Sequence, residues 1–180
     1  MTKMMKLPPT DRSLLQDLAA GRSEAYAALY ERFARRMLRV ATSMLGRADA
    51  AEDVLQDVFL NLARRRQCFL KVEDIEAYVF ASLRYAVAAR LAQAKREQQH
   101  LRQFAMARSE ETRPSAGSGS ELTAILASLP PEQREVVVLK IDAGLTFAQI
   151  GRVLGVSPNT AASRYRYAIE KLRRTIEEPT

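Results

Sequence analysis

Two groups of side chains in this sequence have the types and spacing to do chemistry. The first is Glu52, Asp53, Gln56 and Asp57. On a helix, Asp53 and Asp57 share one face, with Gln56 beside Asp57 and Glu52 beside Gln56. Paired carboxylates can serve metal binding, acid–base catalysis or protein docking. With no histidine nearby, the catalytic and metal readings are disfavoured. The plainest reading is a solvated acidic face at a helix N-terminus, where the dipole favours carboxylates. The second group is Ser157, Asn159, Thr160, Ser163, Arg164 and Arg166. These hydrogen-bonding side chains suit phosphates and base edges.

The second group lies in TFAQIGRVLGVSPNTAASRYRY, Thr146 to Tyr167, which reads as a DNA-binding helix-turn-helix. Thr146 caps the first helix and Gln149 completes a capping box. Ile150 and Leu154 give that helix a buried face, and Gly151 is small enough for a second helix to cross closely. Gly155 ends the helix in the left-handed conformation, and Val156 plugs the turn. Ser157 is the next N-cap, with Pro158 suited to the first helical position.

Stepping along the chain, helices must position both groups. An all-α fold is predicted, in two small domains. The first helix runs from Asp11 to Ala20, capped by Thr10 and stopped by Gly21. The second runs from Ser23 to Leu45, with Tyr26, Leu29, Tyr30, Phe33, Met37, Val40, Ala41 and Met44 at three- and four-residue spacing. The third starts at Asp49, with Glu52 completing a capping box, and buries Val54, Leu55, Val58, Phe59 and Leu62. It ends in Arg64, Arg65 and Arg66. After a loop from Gln67 to Glu73, a fourth helix starts near Asp74 and passes Arg96, with Ile75, Val79, Leu83, Ala86, Val87 and Leu91 as its apolar stripe. Ser109 to Ser120 is Ser/Gly-rich and reads as a flexible linker. The domains are therefore 1–108 and 121–180. The second adds helices at Glu121–Ser128 and Pro131–Ala143. Val136, Val137 and Val138 favour strand by propensity, but Pro131 and Gly144 bracket a helix.

Composition narrows the partners. There are 28 Lys+Arg against 21 Asp+Glu, and the pI is about 9.8, which suits a polyanion such as nucleic acid. The first 108 residues hold 19 basic and 12 acidic side chains, so the excess lies outside the helix-turn-helix and points to a second nucleic-acid surface. The single cysteine, Cys68, excludes an intramolecular disulfide and a cysteine-cluster zinc site, and reads as an inert, partly buried thiol. One histidine leaves little for a His-based site, and no cofactor is expected. MTKMMKLPPT lacks the apolar core of a secretory signal, and no window approaches ~18 apolar residues, so neither export nor membrane insertion is expected and the chain is placed in the cytoplasm.

Two stretches resemble a known family. AYAALYERFARRMLRVATSMLGRADAAEDVLQDVFLNLARRR is similar to the polymerase-docking segment of the extracytoplasmic-function sigma factors of bacterial RNA polymerase. LPPEQREVVVLKIDAGLTFAQIGRVLGVSPNTAASRYRYAIEKLR is similar to their promoter-binding helix-turn-helix. The resemblance spans about residues 12 to 174. It implies that DVLQD, with Glu52, docks on the clamp helices of core RNA polymerase, and that the N-terminal domain opens the −10 element of promoter DNA. Arg84, Tyr85, Arg90, Lys95 and Arg96 would line the −10 track, and Phe69, Tyr78 and Phe80 are candidate stacking platforms or core. It implies that Ser157, Asn159, Thr160, Ser163, Arg164 and Arg166 bind the −35 element; an anti-sigma factor is a further candidate partner, whose existence the sequence does not give. The chain departs from the family pattern at Ala63, Tyr85 and Ala89, where Trp, Asn and Asp are frequent, and at Ala161, Ala162 and Tyr167 in the recognition helix. Rival readings are a stand-alone regulator binding a palindrome, and a sigma-like decoy that docks without efficient opening. An enzyme is disfavoured, because no nucleophile–base–orienter set or phosphate loop is visible.

Overall fold

The computed structural model describes residues 11–106, 125–126 and 128–177. The linker at 109–120, the cap Thr10 and most of the expected 121–128 helix lie outside the described residues. Every regular element among the described residues is helical. Helix α1 spans Asp11–Ala19, α2 Ser23–Leu45, α3 Ala48–Arg64 and α4 Ile75–Met106, with a 3-10 segment at Arg66–Lys71 between the last two. Helices α5 (Pro131–Ile141), α6 (Phe147–Leu154) and α7 (Pro158–Glu177) follow.

Helices α2, α3 and α4 pack on one another, and α1 lies against the 3-10 segment. Leu29, Phe33, Met37 and Val40 of α2 are buried against Val54 and Val58 of α3 and Val79, Phe80 and Leu83 of α4. These are the periodic apolar positions of each helix, whose burial is the main stabilising contribution. Phe33 and Phe80 meet edge to face at 6.4 Å. In the C-terminal unit α7 lies across α5 and α6. Val136, Val137, Val138 and Leu139 are all buried, so the valine run is helical because burial outweighs its strand propensity.

Three local expectations are corrected. Helix α3 begins at Ala48, with Arg47 at the N-cap and no side-chain cap. Instead of capping, the Asp49 carboxylate takes the Arg47 guanidinium, whose hydrogen bond lowers its pKa. Cys68 is exposed, because the 3-10 turn directs its neighbour Phe69 into the core. Leu91, expected on the buried stripe of α4, is 45% exposed, because the helix has by then passed its neighbours.

Gly151 is a packing requirement of the turn rather than of a helix crossing. A Cβ there would sit 2.7 Å from the Val156 carbonyl oxygen and 3.3 Å from the Pro158 nitrogen. Both are backbone atoms and cannot step aside. Gly151→Ala is therefore predicted to destabilise the protein by ~1–3 kcal/mol, read as a lowered midpoint in thermal unfolding; an unchanged midpoint would show that the turn relaxes freely.

Candidate nucleic-acid and polymerase interfaces

The helix-turn-helix is set by its caps. Thr146 Oγ1 accepts from the Gln149 backbone N–H at 3.2 Å, and the Gln149 side-chain oxygen accepts from the Thr146 N–H at 3.0 Å, so the capping box is complete. Gly155 adopts φ +68° and returns its N–H to the Gly151 carbonyl. Ser157 Oγ accepts from the Thr160 N–H at 3.0 Å, the N-cap of α7. These bonds fix the angle between α6 and α7. Ala161, Tyr165, Ala168 and Leu172 turn α7 inward, with Ala161 and Ala168 fully buried. At about 100° per residue, Asn159, Ser163 and Arg166 lie on the opposite face. Asn159, Thr160, Ser157 and Arg166 are exposed, and Ser163 is half-buried. Arg164 is half-buried on the flank. The structure thus separates the two arginines, with Arg166 on the outward stripe.

On α3, Glu52, Asp53, Gln56 and Asp57 are all exposed, and they form one acidic edge. Beside them runs an apolar groove of about 650 Å³. Its walls include Tyr30, 54% exposed, and Leu60, 47% exposed, with the Tyr30 and Phe59 rings 5.0 Å apart. Sequence periodicity missed this groove, because it assigned Tyr30 to the buried stripe. The available signal was Leu60, a large apolar residue outside the α3 stripe.

Tyr85, 68% exposed, stands at a cleft of about 370 Å³ between α3 and α4, lined also by Asn61, Arg65, Tyr78 and Ser82. Burial is the main cause that raises the Tyr78 pKa, so its phenol is a protonated donor at neutral pH. Asn61 and Ser82 are not singled out by sequence, and Arg65 only as part of the basic run that ends α3, although 61 and 65, like 78 and 82, are four apart and share helix faces. Phe69 and Phe80 are buried and belong to the core. Arg90 is half-buried, and Lys95 and Arg96 are exposed further along α4. Arg84 does not join them. Its guanidinium points to the C-terminal unit and is held by the Glu135 carboxylate at 3.2 and 3.3 Å. Among the described residues there is no cluster of side chains able to hold a metal, and no helix is long and apolar enough to cross a membrane.

Comparison with known proteins is consistent with this geometry. Residues 29–97 match the family described as Sigma-70 region 2, and residues 125–174 match Sigma-70, region 4. The chain is 31% identical over 166 residues to the RNA polymerase sigma factor CarQ of Myxococcus xanthus, covering 88% of this chain and 92% of CarQ. It is 30% identical over 173 residues to the ECF RNA polymerase sigma factor SigM of Mycobacterium tuberculosis, covering 93% and 85%. Among solved structures, CnrH in complex with the cytosolic domain of CnrY superposes with a TM-score of 0.69 at 21% identity, covering 94% of this chain and 99% of that one. The sigma factor RpoE of Bartonella quintana, bound to the anti-sigma factor NepR, gives 0.60 at 20%, covering 94% and 95%. At these identities the two structures speak for the fold alone.

Proposed function

The chain belongs to the extracytoplasmic-function group of the sigma-70 family, and from that premise we propose how its surfaces divide the work of a sigma factor. It binds core RNA polymerase, directs it to promoters and assists DNA opening in the cytoplasm, supplying specificity to an enzyme without being one. The acidic edge of Glu52, Asp53, Gln56 and Asp57, with the groove beside it, docks on the polymerase: an anionic edge along one side of an apolar trough suits a protein partner. The cleft at Tyr85 receives an unstacked base of the −10 element. Asn61 and Ser82 offer hydrogen bonds to its edge and Tyr85 a stacking surface, while Arg90, Lys95 and Arg96 attract the strand. The outward stripe of α7 reads the −35 element in the major groove. An anti-sigma factor would compete for these same faces.

The observation that carries this reading is the recognition helix. It is capped at Ser157, anchored by Ala161 and Ala168, and presents its polar side chains on the face away from the core. The test is run-off transcription with core polymerase on a library of genomic fragments. A sigma factor yields discrete start sites. Core binding without starts would identify a decoy, and DNA binding without core binding a stand-alone regulator.

A further inference from the structure

Residues 64–73, which join α3 to α4, carry four cations against one carboxylate, Glu73. Arg64, Arg65, Arg66 and Lys71 are all exposed. Carboxylates hold Arg22, Arg32, Arg36, Arg47 and Arg84 of the N-terminal unit, but among the described residues these four make no ion pair. In their midst stands Leu70, 64% exposed. A single exposed leucine is ordinary, but this one is held on a stiff support. On a 3-10 turn side chains three apart eclipse, so Leu70 stands over the exposed Gln67. The turn is closed by the Cys68 N–H on the Arg65 carbonyl at 2.9 Å and the Val72 N–H on the Phe69 carbonyl at 3.2 Å. Phe69 is buried, with the rings of Tyr26 and Tyr78 edge-on to it at 6.5 and 5.6 Å. Helix α1 backs the turn. The turn also adjoins the Tyr85 cleft, because Arg65, at its N-cap, and Tyr78, against Phe69, both line that cleft.

We propose, on the sigma-factor reading above, that Leu70 is the wedge of promoter opening: when a −10 base is drawn into the Tyr85 cleft, Leu70 steps against the base pair that its departure leaves exposed. A base taken out of the stack leaves an apolar face in water and a gap that recloses. Aliphatic side chains inserted at such a step cover the face and hold the gap open. A side chain that does this must be apolar, must project from a support that does not yield, and must be brought to the duplex by charges that grip phosphates. Leu70 meets all three conditions. It is aliphatic, its turn is hydrogen-bonded and anchored by Phe69, and Arg66 and Lys71 flank it. Four unpaired cations call for a polyanion, and the adjoining cleft has a stacking ring and hydrogen-bonding groups for a base, so the occupant is promoter DNA rather than a protein. Leu70 is a positioning residue. It reads no sequence, and its effect falls on the opening step.

The test uses the full-length chain assembled with core polymerase, on a promoter fragment taken from the run-off library, with 2-aminopurine in the −10 element to report unstacking. Leu70→Ala is expected to slow the fluorescence rise about tenfold, the loss of roughly two methylene groups of apolar contact. Leu70→Met, which conserves volume, should keep most of the wild-type rate. On the same fragment premelted by mismatches across the −10 element, Leu70→Ala should initiate as well as wild type, which a folding or docking defect would not allow. Core affinity by pull-down and the thermal midpoint should be unchanged. Equal opening rates for wild type and Leu70→Ala, or a defect that persists on the premelted fragment, would overturn the wedge. So would a loss of core affinity, which would place Leu70 in a protein interface instead. If wild type yields no starts from the library at all, the sigma-factor reading falls and the wedge with it, so the two failures are told apart.

Discussion

Replacing Asp53 and Asp57 by arginine is expected to lower the affinity for core RNA polymerase by ~100-fold or more, about 2.7 kcal/mol, with the helical content unchanged. Both side chains are exposed on α3, and among the described residues neither has a hydrogen-bond or ion-pair partner whose loss would disturb the fold. The residues that hold α3 in place, Val54, Leu55, Val58 and Leu62, point the other way. The cost therefore falls on association alone. Reversal removes two attractions and introduces two like-charge contacts if the partner surface is basic, and such juxtapositions cost several kcal/mol. Part of the loss should appear as a slower association rate that depends on ionic strength, the signature of steering by rim charges. Pull-down and stopped-flow binding with core polymerase measure it. Wild-type affinity in a variant with an unchanged circular dichroism spectrum would remove α3 from the interface.

The second large effect is expected in the recognition helix. Arg166→Ala should lose about 1–3 kcal/mol of promoter affinity and relax the preference at one position of the −35 element. Arg164→Ala should weaken all sequences alike and reduce the salt slope by about one. The distinction comes from burial. Ala161 and Ala168 face the core, and Asn159, Ser163 and Arg166 lie opposite them, where a helix meets the floor of the groove. Arg164 sits on the half-buried flank, where a side chain meets the groove wall and its phosphates. Selection from a randomised −35 library with each variant at two salt concentrations separates the outcomes. If Arg164→Ala changes the selected sequence and Arg166→Ala does not, the assignment of the two arginines is reversed.

What could be read from sequence was local. The capping box of Thr146 and Gln149, the left-handed Gly155 and the Ser157 cap each involve residues within a few positions, and each type has one strong structural preference. The boundaries of α2 follow from the same logic, with Gly46 at φ +70°. The start of α3 is misread from sequence because the Asp49 carboxylate can either cap backbone N–H groups or pair with Arg47, and propensity does not say that Arg47 wins. The groove at Tyr30 and Leu60 was hidden because an amphipathic stripe shows which residues can be buried, not which ones a neighbour covers. The contacts of Arg36, Arg39 and Ser43 with Asp142 and Ala143 lie about a hundred positions apart, with no periodicity to announce them. A charged residue on a helix reads as solvated until the structure shows what it meets, so Arg84 was legible as a basic side chain but not as one held by Glu135.

Helix α4 is 32 residues long, ~48 Å at 1.5 Å per residue, and it has two unequal halves. Up to Val87 it is nailed to the core by Ile75, Val79, Phe80 and Leu83. From Leu91 to Leu101 every residue is exposed, and the local support is of the kind given by Gln93 to Glu97. A stretch of this length is marginal as a helix without tertiary packing. Its amide protons should therefore be lost to solvent by fraying from the far end, while those near Val79 wait for global opening. Any partner that lies along the outer half must spend part of its binding energy on stiffening it, and in return gains a lever whose root is fixed and whose tip takes its final course only in the assembled complex.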